Sequence, residues 1–246
     1  MKSKPLFAIM LVALCTIAAP AFAQDKWPSK PIKYIVPFPP GGTTDTLARI
    51  IAQKLSVSWG QQVLVDNKPG AGGNIGSDFV AKSAPDGYTI LLATGSSLAI
   101  NVSLYKNLGY DPEKDFEPIS LVGTQTNLLY THPGSVPAKT LPEFVAYVKA
   151  NPGKLTFGSG GIGTPAHLAG ELLKVEAGIE MTHAPFRGTG QALQSVIGGH
   201  VPVAFNPPSP LLPPLESGSL RAIAVPTLPS PPALPHVPTT ADERHP

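Results

Sequence analysis

Apolar residues along the chain come in short runs and helical stripes, separated by breaks rich in glycine and proline. Residues 32–37, 62–67 and 88–94 are short, apolar and β-branched in character, and each ends at such a break. That pattern predicts three strands. Between the first two, Thr43, Thr44 and Asp45 offer a helix cap, and Leu47, Ile50, Ile51 and Leu55 fall on one helical face. Shorter helices are expected after the breaks at 68–74 and 95–97. In the second half, 127–131, 155–158, 181–186, 201–206 and 220–225 read as strands. Residues 141–150, with Phe144, Val145 and Val148 apolar, and 165–176, opening on Pro165 and followed by Gly178, read as helices.

Strands of near-continuous apolar content, alternating with helices, predict parallel sheets covered on both faces. Two such clusters predict two α/β lobes, 24–122 and 123–225. Beyond them, residues 226–246 hold seven prolines in 21 positions and can form neither a helix nor a central strand.

The first 23 residues stand apart. Lys2 and Lys4 precede an apolar run over 6–19, and Ala21-Phe22-Ala23 supplies small residues for cleavage. This is the pattern of a secretory signal peptide removed after Ala23. The run is too short for a comfortable membrane span. Cleavage removes the only cysteine, Cys15, so a disulfide, a thiol nucleophile and a thiolate metal site are not expected in the exported protein. Loss of Lys2 and Lys4 takes the basic residues from 18 to 16, equal to the 16 acidic ones. With no net charge and 14 % charged residues, the chain lacks the basic face of a nucleic-acid binder. Gly (24) and Pro (30) together make up about 22 % of the chain against a usual share of roughly 12 %, yet 42 % hydrophobic content is enough for a buried core. An exported protein with two lobes is expected.

The glycine breaks fall where strands hand over to helices. In α/β sheets that is where ligands sit. Helix N-termini there present free N–H groups and about half a positive charge, and glycine lets a ligand approach the backbone closely. Several such ends facing one crevice would bind an anion through backbone donors.

The wording of these breaks is specific in combination. It runs through Trp27-Pro28, then 35–45 (IVPFPPGGTTD), 65–76 (VDNKPGAGGNIG), 84–89 (APDGYT), Tyr110-Asp111-Pro112, 159–172 with its Ser-Gly-Gly and His-Leu-Ala-Gly-Glu-Leu segments, 220–225 and 233–239. The chain resembles the Bug/TctC family, the extracytoplasmic solute-binding receptors of tripartite tricarboxylate transporters, over nearly all of its length after residue 23. The resemblance implies a periplasmic location and a Venus-flytrap fold of type II whose two lobes close on a small carboxylate. It also implies that the first-lobe loops hold the ligand largely through backbone N–H groups and ordered water. The candidate contacts are Pro40, Gly41, Gly42, Thr43 and Asp45; Gly72, Gly73 and Asn74; Thr94, Gly95 and Ser96; Ser159, Gly160, Gly163, Thr164 and His167; and Phe186, Arg187, Gly188 and Asn206. A membrane permease, or alternatively a sensor protein, is the expected partner; no cofactor, metal or nucleic acid is expected.

The chain departs from the family pattern at Phe186, where many members have Tyr, at Asn206, where many have Asp, and in the prolines of 207–214. The family also continues beyond the position of Thr240, so the remainder of the first lobe is expected to be missing and 226–246 to be its return segment. Lys68 and Arg187 are the only basic residues in or beside the loops, and Arg187 is the candidate for a direct salt link. Asp45 is expected to brace its own helix terminus, because a carboxylate facing an anion would repel it.

Gly95-Ser96-Ser97-Leu98-Ala99 nearly spells the nucleophile elbow of an α/β hydrolase, but Ala replaces the last glycine. Contact with a ligand, or helix capping, competes with that reading. The six histidines form no metal-binding spacing, and His167 is weighed as a ligand contact against packing. Gly41-Gly42-Thr43-Thr44 lacks the G-K-[ST] ending of a phosphate loop.

Overall fold

The computed structural model describes residues 27–226, 234–240 and 242. The expected signal peptide, 1–23, lies outside the described residues. The chain forms two sheets, one per lobe.

The first sheet is parallel, in the order β2-β1-β3, from β1 (Ile32–Val36), β2 (Val63–Asn67) and β3 (Thr89–Leu91). β1 is central and buries every residue except Lys33, as a strand covered on both faces must. Helix α1 (Thr43–Trp59) crosses from β1 to β2 and ends at Gly60 in the left-handed conformation. Of the predicted stripe, Ile51 and Leu55 pack against the core beside the buried Ala48 and Ala52, whereas Leu47 and Ile50 are exposed. The small alanines let the helix lie close to the sheet, and Leu47 is turned toward the space between the lobes. After a 3₁₀ turn at Ala71–Gly73 come α2 (Asn74–Ala81), β3, and a π-helical turn (Ser96–Ile100) running into α3 (Asn101–Leu104).

The second sheet has five strands in the order β6-β5-β7-β4-β8: β4 (Leu128–Thr131), β5 (Thr156–Ser159), β6 (Thr182–Pro185), β7 (Val203–Asn206) and β8 (Arg221–Ala224). β5 runs parallel to β6 and β7. β4 runs antiparallel to both β7 and β8, which corrects the expectation of a purely parallel sheet. All four residues of β4 are buried, and continuous burial predicts a covered strand without predicting its direction. Helices α4 (Leu141–Ala150) and α5 (Pro165–Ala177) lie on one face over Leu129, Phe157, Val203 and Phe205. The other face packs against α6 (Thr189–Ile197) through Leu193 and Val196. Burying each such side chain contributes about 1.5–3 kcal/mol.

Helix α6 was not among the predicted elements, since Thr189-Gly190 is a weak helix start. Prolines 207–214, where the chain departs from the family pattern, form only a 3₁₀ turn (Ser209–Leu211) and the short α7 (Leu212–Glu216). Pro213 sits in the first turn of α7, where no backbone N–H is needed. Within the proline-rich tail, Leu234 and Val237 join the second-lobe core, and Val225 exchanges hydrogen bonds with Pro238 and Thr240. The linking segment 117–127 is irregular and leaves Ile119 and Leu121 almost wholly exposed.

Candidate ligand cleft

Five loops converge between the lobes. In the first, N-cap Gly42 starts α1 with no side-chain cap, in place of the cap expected among 43–45. Its free N–H groups therefore remain available to the cleft. Asp45 turns back instead: its carboxylate accepts from Gly41 N–H at 3.0 Å, from Arg49 at 3.0 Å and from Asn67 Nδ2 at 2.9 Å. Asn67 Nδ2 also donates to the Phe38 carbonyl at 2.9 Å, so strand β2 and the loop are tied together. Burial alone pushes the Asp45 carboxyl up, but the Arg49, Gly41 and Asn67 hydrogen bonds outweigh it and hold it below its ordinary range. It is ionised at neutral pH and fully engaged in bracing the loop.

In the second loop, Asn74 Oδ1 accepts from Asn101 Nδ2 at 2.6 Å, and the Tyr110 hydroxyl lies 3.0 Å away. That hydroxyl is also 2.7 Å from the Ser97 carbonyl, which anchors the third loop. There Ser97 Oγ donates to the Thr94 carbonyl at 3.3 Å. Ser96 Oγ, Thr94 Oγ1 and Thr43 Oγ1 are buried and have no hydrogen-bond partner among the described residues. Buried polar atoms left this way are costly unless something else satisfies them.

The fourth loop is stitched from within. Thr164 caps α5, accepting from His167 N–H at 3.3 Å, and its hydroxyl donates to the Gly161 carbonyl at 2.7 Å. Ser159 Oγ accepts from Gly161 N–H at 3.2 Å. In the fifth loop Gly188 is the N-cap of α6, and Asn206 Nδ2 donates to the Thr189 carbonyl at 2.9 Å. Arg187 is exposed, its N–H bonded to Gln191 Oε1.

All of these loops but the second border a cleft of about 2140 Å³. Of the residues singled out from sequence, Pro40, Gly41, Gly42, Thr43, Thr94, Gly95, Ser96, Gly160, Thr164 and Gly188 line it. Asp45, Gly72, Gly73, Asn74, Ser159, Gly163, His167, Phe186, Arg187 and Asn206 stand behind or beside the lining. Sequence reasoning missed Thr189, Gln191 and Gln194 on α6, Pro207, Pro112, Glu113 and the stretch from Asp115 to Gln125, all of which line it. Gln191 and Gln194, three apart on a helix, are the one signal that a polar face pointed there. Among the described residues the lining holds no Lys, Arg or His, and its acidic groups are Glu113, Asp115 and Glu117.

The lobes meet at both ends of the cleft. A Cβ placed on Gly188 would stand 3.0 Å from Pro39, and one on Gly72 only 2.6 Å from the Ile162 carbonyl oxygen. Ser97, the nucleophile of the hydrolase alternative, bonds to a backbone carbonyl, while the hydrogen-bonded histidine rings engage Ser135, Ser159 and Gly163.

Residues 47–245 match the tripartite tricarboxylate transporter family receptor. The chain belongs to this receptor family. Protein BugT of Bordetella pertussis is 40 % identical over 238 residues, covering 96 % of this chain and 72 % of that protein. A Pseudomonas sp. protein encoded in a tcbD-tcbE intergenic region is 39 % identical, covering 94 % and 68 %. Among solved structures, an R. palustris protein with adipate aligns at TM-score 0.85 with 37 % identity, covering 88 % of this chain and 72 % of that one. MatC from Rhodopseudomonas palustris with bound malate aligns at 0.82 with 32 % identity, covering 88 % and 73 %. The periplasmic binding protein BugD aligns at 0.80 with 36 % identity. The fold is thus the two-lobed α/β fold of the receptor family's periplasmic binding proteins. The chain spans 68–73 % of the length of these five relatives.

Proposed function

We propose that this chain is an exported receptor that captures a small carboxylate between its two lobes and delivers it to a membrane permease. One observation carries the reading. The cleft lining contains no cation among the described residues, yet it gathers uncapped helix starts at Gly42 and Gly188 and three unpartnered hydroxyls, on Thr43, Thr94 and Ser96. Such a surface recognises an anion by backbone N–H groups and hydroxyls, each hydrogen bond to a charged group contributing about 1.5–3 kcal/mol. The related proteins solved with adipate and malate support a dicarboxylate. The cleft exceeds the roughly 300–1,000 Å³ of an ordinary ligand pocket, leaving room for bridging water, which holds a carboxylate nearly as well as a direct bond.

The reading assigns binding without turnover: the hydroxyls serve as donors and not as nucleophiles. Its test is a thermal-shift screen of di- and tricarboxylates, aromatic acids and amino acids. A true ligand at about 100 times its Kd adds about 2.7 kcal/mol to stability. If no carboxylate shifts melting, or if an ester is hydrolysed in a Ser97-dependent manner, the reading is wrong. Delivery to a permease is tested by ligand-dependent uptake into vesicles carrying the transporter; stimulation of a sensor kinase in place of uptake contradicts it.

A further inference from the structure

Behind the second-lobe loop lies a cluster that ligand contact does not use. His167 on α5 and His183 on β6 stack with ring centroids 4.1 Å apart, and His183 stacks in turn on Phe157 of β5 at 4.8 Å. Each histidine holds one part of the 159–164 loop. Gly163 N–H donates to His167 Nδ1 at 3.3 Å, and His183 Nε2 lies 2.7 Å from Ser159 Oγ, the atom that receives Gly161 N–H.

The hydrogen bonds fix the proton inventory. Because Gly163 N–H is a donor, Nδ1 of His167 must be bare, so the neutral ring carries its proton on Nε2, 4.0 Å from Glu171. Protonating His167 would set Nδ1–H against the Gly163 N–H, donor against donor. The stacked rings are also too close to carry two charges at once. The other charges acting on the pair come from α5 alone: Glu171 favours protonation, and Lys174, paired to Glu171 at 2.7 Å, opposes it. From β5 the neighbours are Phe157 and the Ser159 hydroxyl.

The loop so held is also where the lobes touch. A Cβ on Gly163 would stand 2.2 Å from Asn101 Oδ1 and 3.1 Å from Leu104 of α3, across the cleft. Gly160 and Thr164, on either side, line the cleft itself. We infer that His167 and His183 are positioning residues that hold the 159–164 loop against the opposite lobe while both are neutral, and that a proton on His167 Nδ1 releases it. Burial lowers the proton affinity of both rings, so the loop is set at neutral pH and released in acid, below the ordinary histidine range. The inference does not depend on which ligand the cleft takes.

The test follows the ligand-free full chain by nuclear magnetic resonance between pH 4 and 8. At pH 7.5 the His167 ring should show a bare Nδ1 and a protonated Nε2; a protonated Nδ1 overturns the inference without any variant. The Gly163 amide should titrate with the ring, at a midpoint below the ordinary histidine value of about 6.5, and lose protection from exchange about tenfold per pH unit beneath it. His167→Asn keeps an acceptor near Nδ1 but cannot be protonated, so protection of Gly163 should persist at pH 7.5 and lose its pH dependence. If that variant titrates like the original, or if Gly163 does not follow the ring, the histidines merely fill space.

Discussion

Gly72 and Gly60 make an internally controlled pair. Both hold nearly the same left-handed backbone, φ 64 and ψ 22 at Gly72 against φ 63 and ψ 20 at Gly60. Alanine at either site therefore adds about the same conformational strain, about 1–2 kcal/mol. At about 2–4 °C per kcal/mol for a protein of this size, both variants should melt about 2–8 °C lower. Their surroundings differ. A Cβ on Gly60 meets nothing within 4 Å, whereas on Gly72 it stands 2.6 Å from the Ile162 carbonyl and 3.3 Å from Asn101 Nδ2. The carbonyl belongs to the opposite lobe and is backbone, so it cannot rotate away, and the least costly relief is for the lobes to part. Gly72→Ala should then weaken carboxylate binding at least about tenfold, about 1.4 kcal/mol, while Gly60→Ala leaves it unchanged. Scanning calorimetry reads the shared melting loss, titration calorimetry the affinities, and small-angle scattering the wider liganded form of Gly72→Ala. Equal affinities in the two variants would refute the claim that contact between the lobes at Gly72 accompanies binding.

Gly42→Val, whose Cβ would already stand 3.3 Å from Thr189 Oγ1, should abolish binding more thoroughly than Arg187→Ala, since Arg187 is exposed and outside the lining; calorimetric titration of both checks the order. Asp45→Asn should cost about 1.5–3 kcal/mol in denaturant unfolding, because a buried carboxylate bonded to Arg49, Gly41 and Asn67 is lost. Asp45 is held below its unfolded value, so its contribution is present above pH 4 or so and is lost as pH falls through the folded value. His183, pushed down to about 4 chiefly by burial, works over a different window: its stabilisation is complete above about pH 6.5 and declines toward pH 4, by at most about 1.4 kcal/mol per pH unit. His183→Phe should flatten that slope in urea titrations run across the window. Ser96→Ala should weaken carboxylate binding by no more than about 3 kcal/mol, the most one hydrogen bond to a charged group contributes, and leave stability unchanged or slightly raised, because Ser96 Oγ is buried without a partner.

The strands were the legible part of the fold. Each apolar run in the sequence contains a strand, with ends shifted by three residues at most, because a strand buried on both faces must be apolar throughout. Direction was not legible. β4 is as apolar as its neighbours yet runs against β7 and β8, a property set by where the chain enters the second lobe. The buried stripe of α1 was legible in Ile51 and Leu55 but not in Ala48 and Ala52, because periodicity favours large side chains whereas close helix–sheet packing selects small ones. In the cleft, glycine loops after strands pointed to Pro40–Thr43, Thr94–Ser96 and Gly160, which do border it. Gln191, Gln194 and the 115–125 stretch carry no such punctuation, and their place in the lining depends on how the two lobes face one another. The histidine pair was invisible for the same reason: His167 and His183 are sixteen residues apart and meet only because α5 lies over β5 and β6.

The central claim is that the cleft holds an anionic carboxylate through backbone N–H groups and hydroxyls. Calorimetric titration of the full chain with adipate, and with its neutral diamide of the same length and shape, tests it most directly. The diamide keeps one carbonyl acceptor at each end and replaces the second, charge-bearing oxygen by an uncharged N–H donor. The account predicts a saturable one-to-one heat for the diacid and binding at least about 100-fold weaker, a difference of about 2.7 kcal/mol, for the diamide. Equal affinities for the two compounds, or no carboxylate binding by a chain that melts cooperatively, would contradict it.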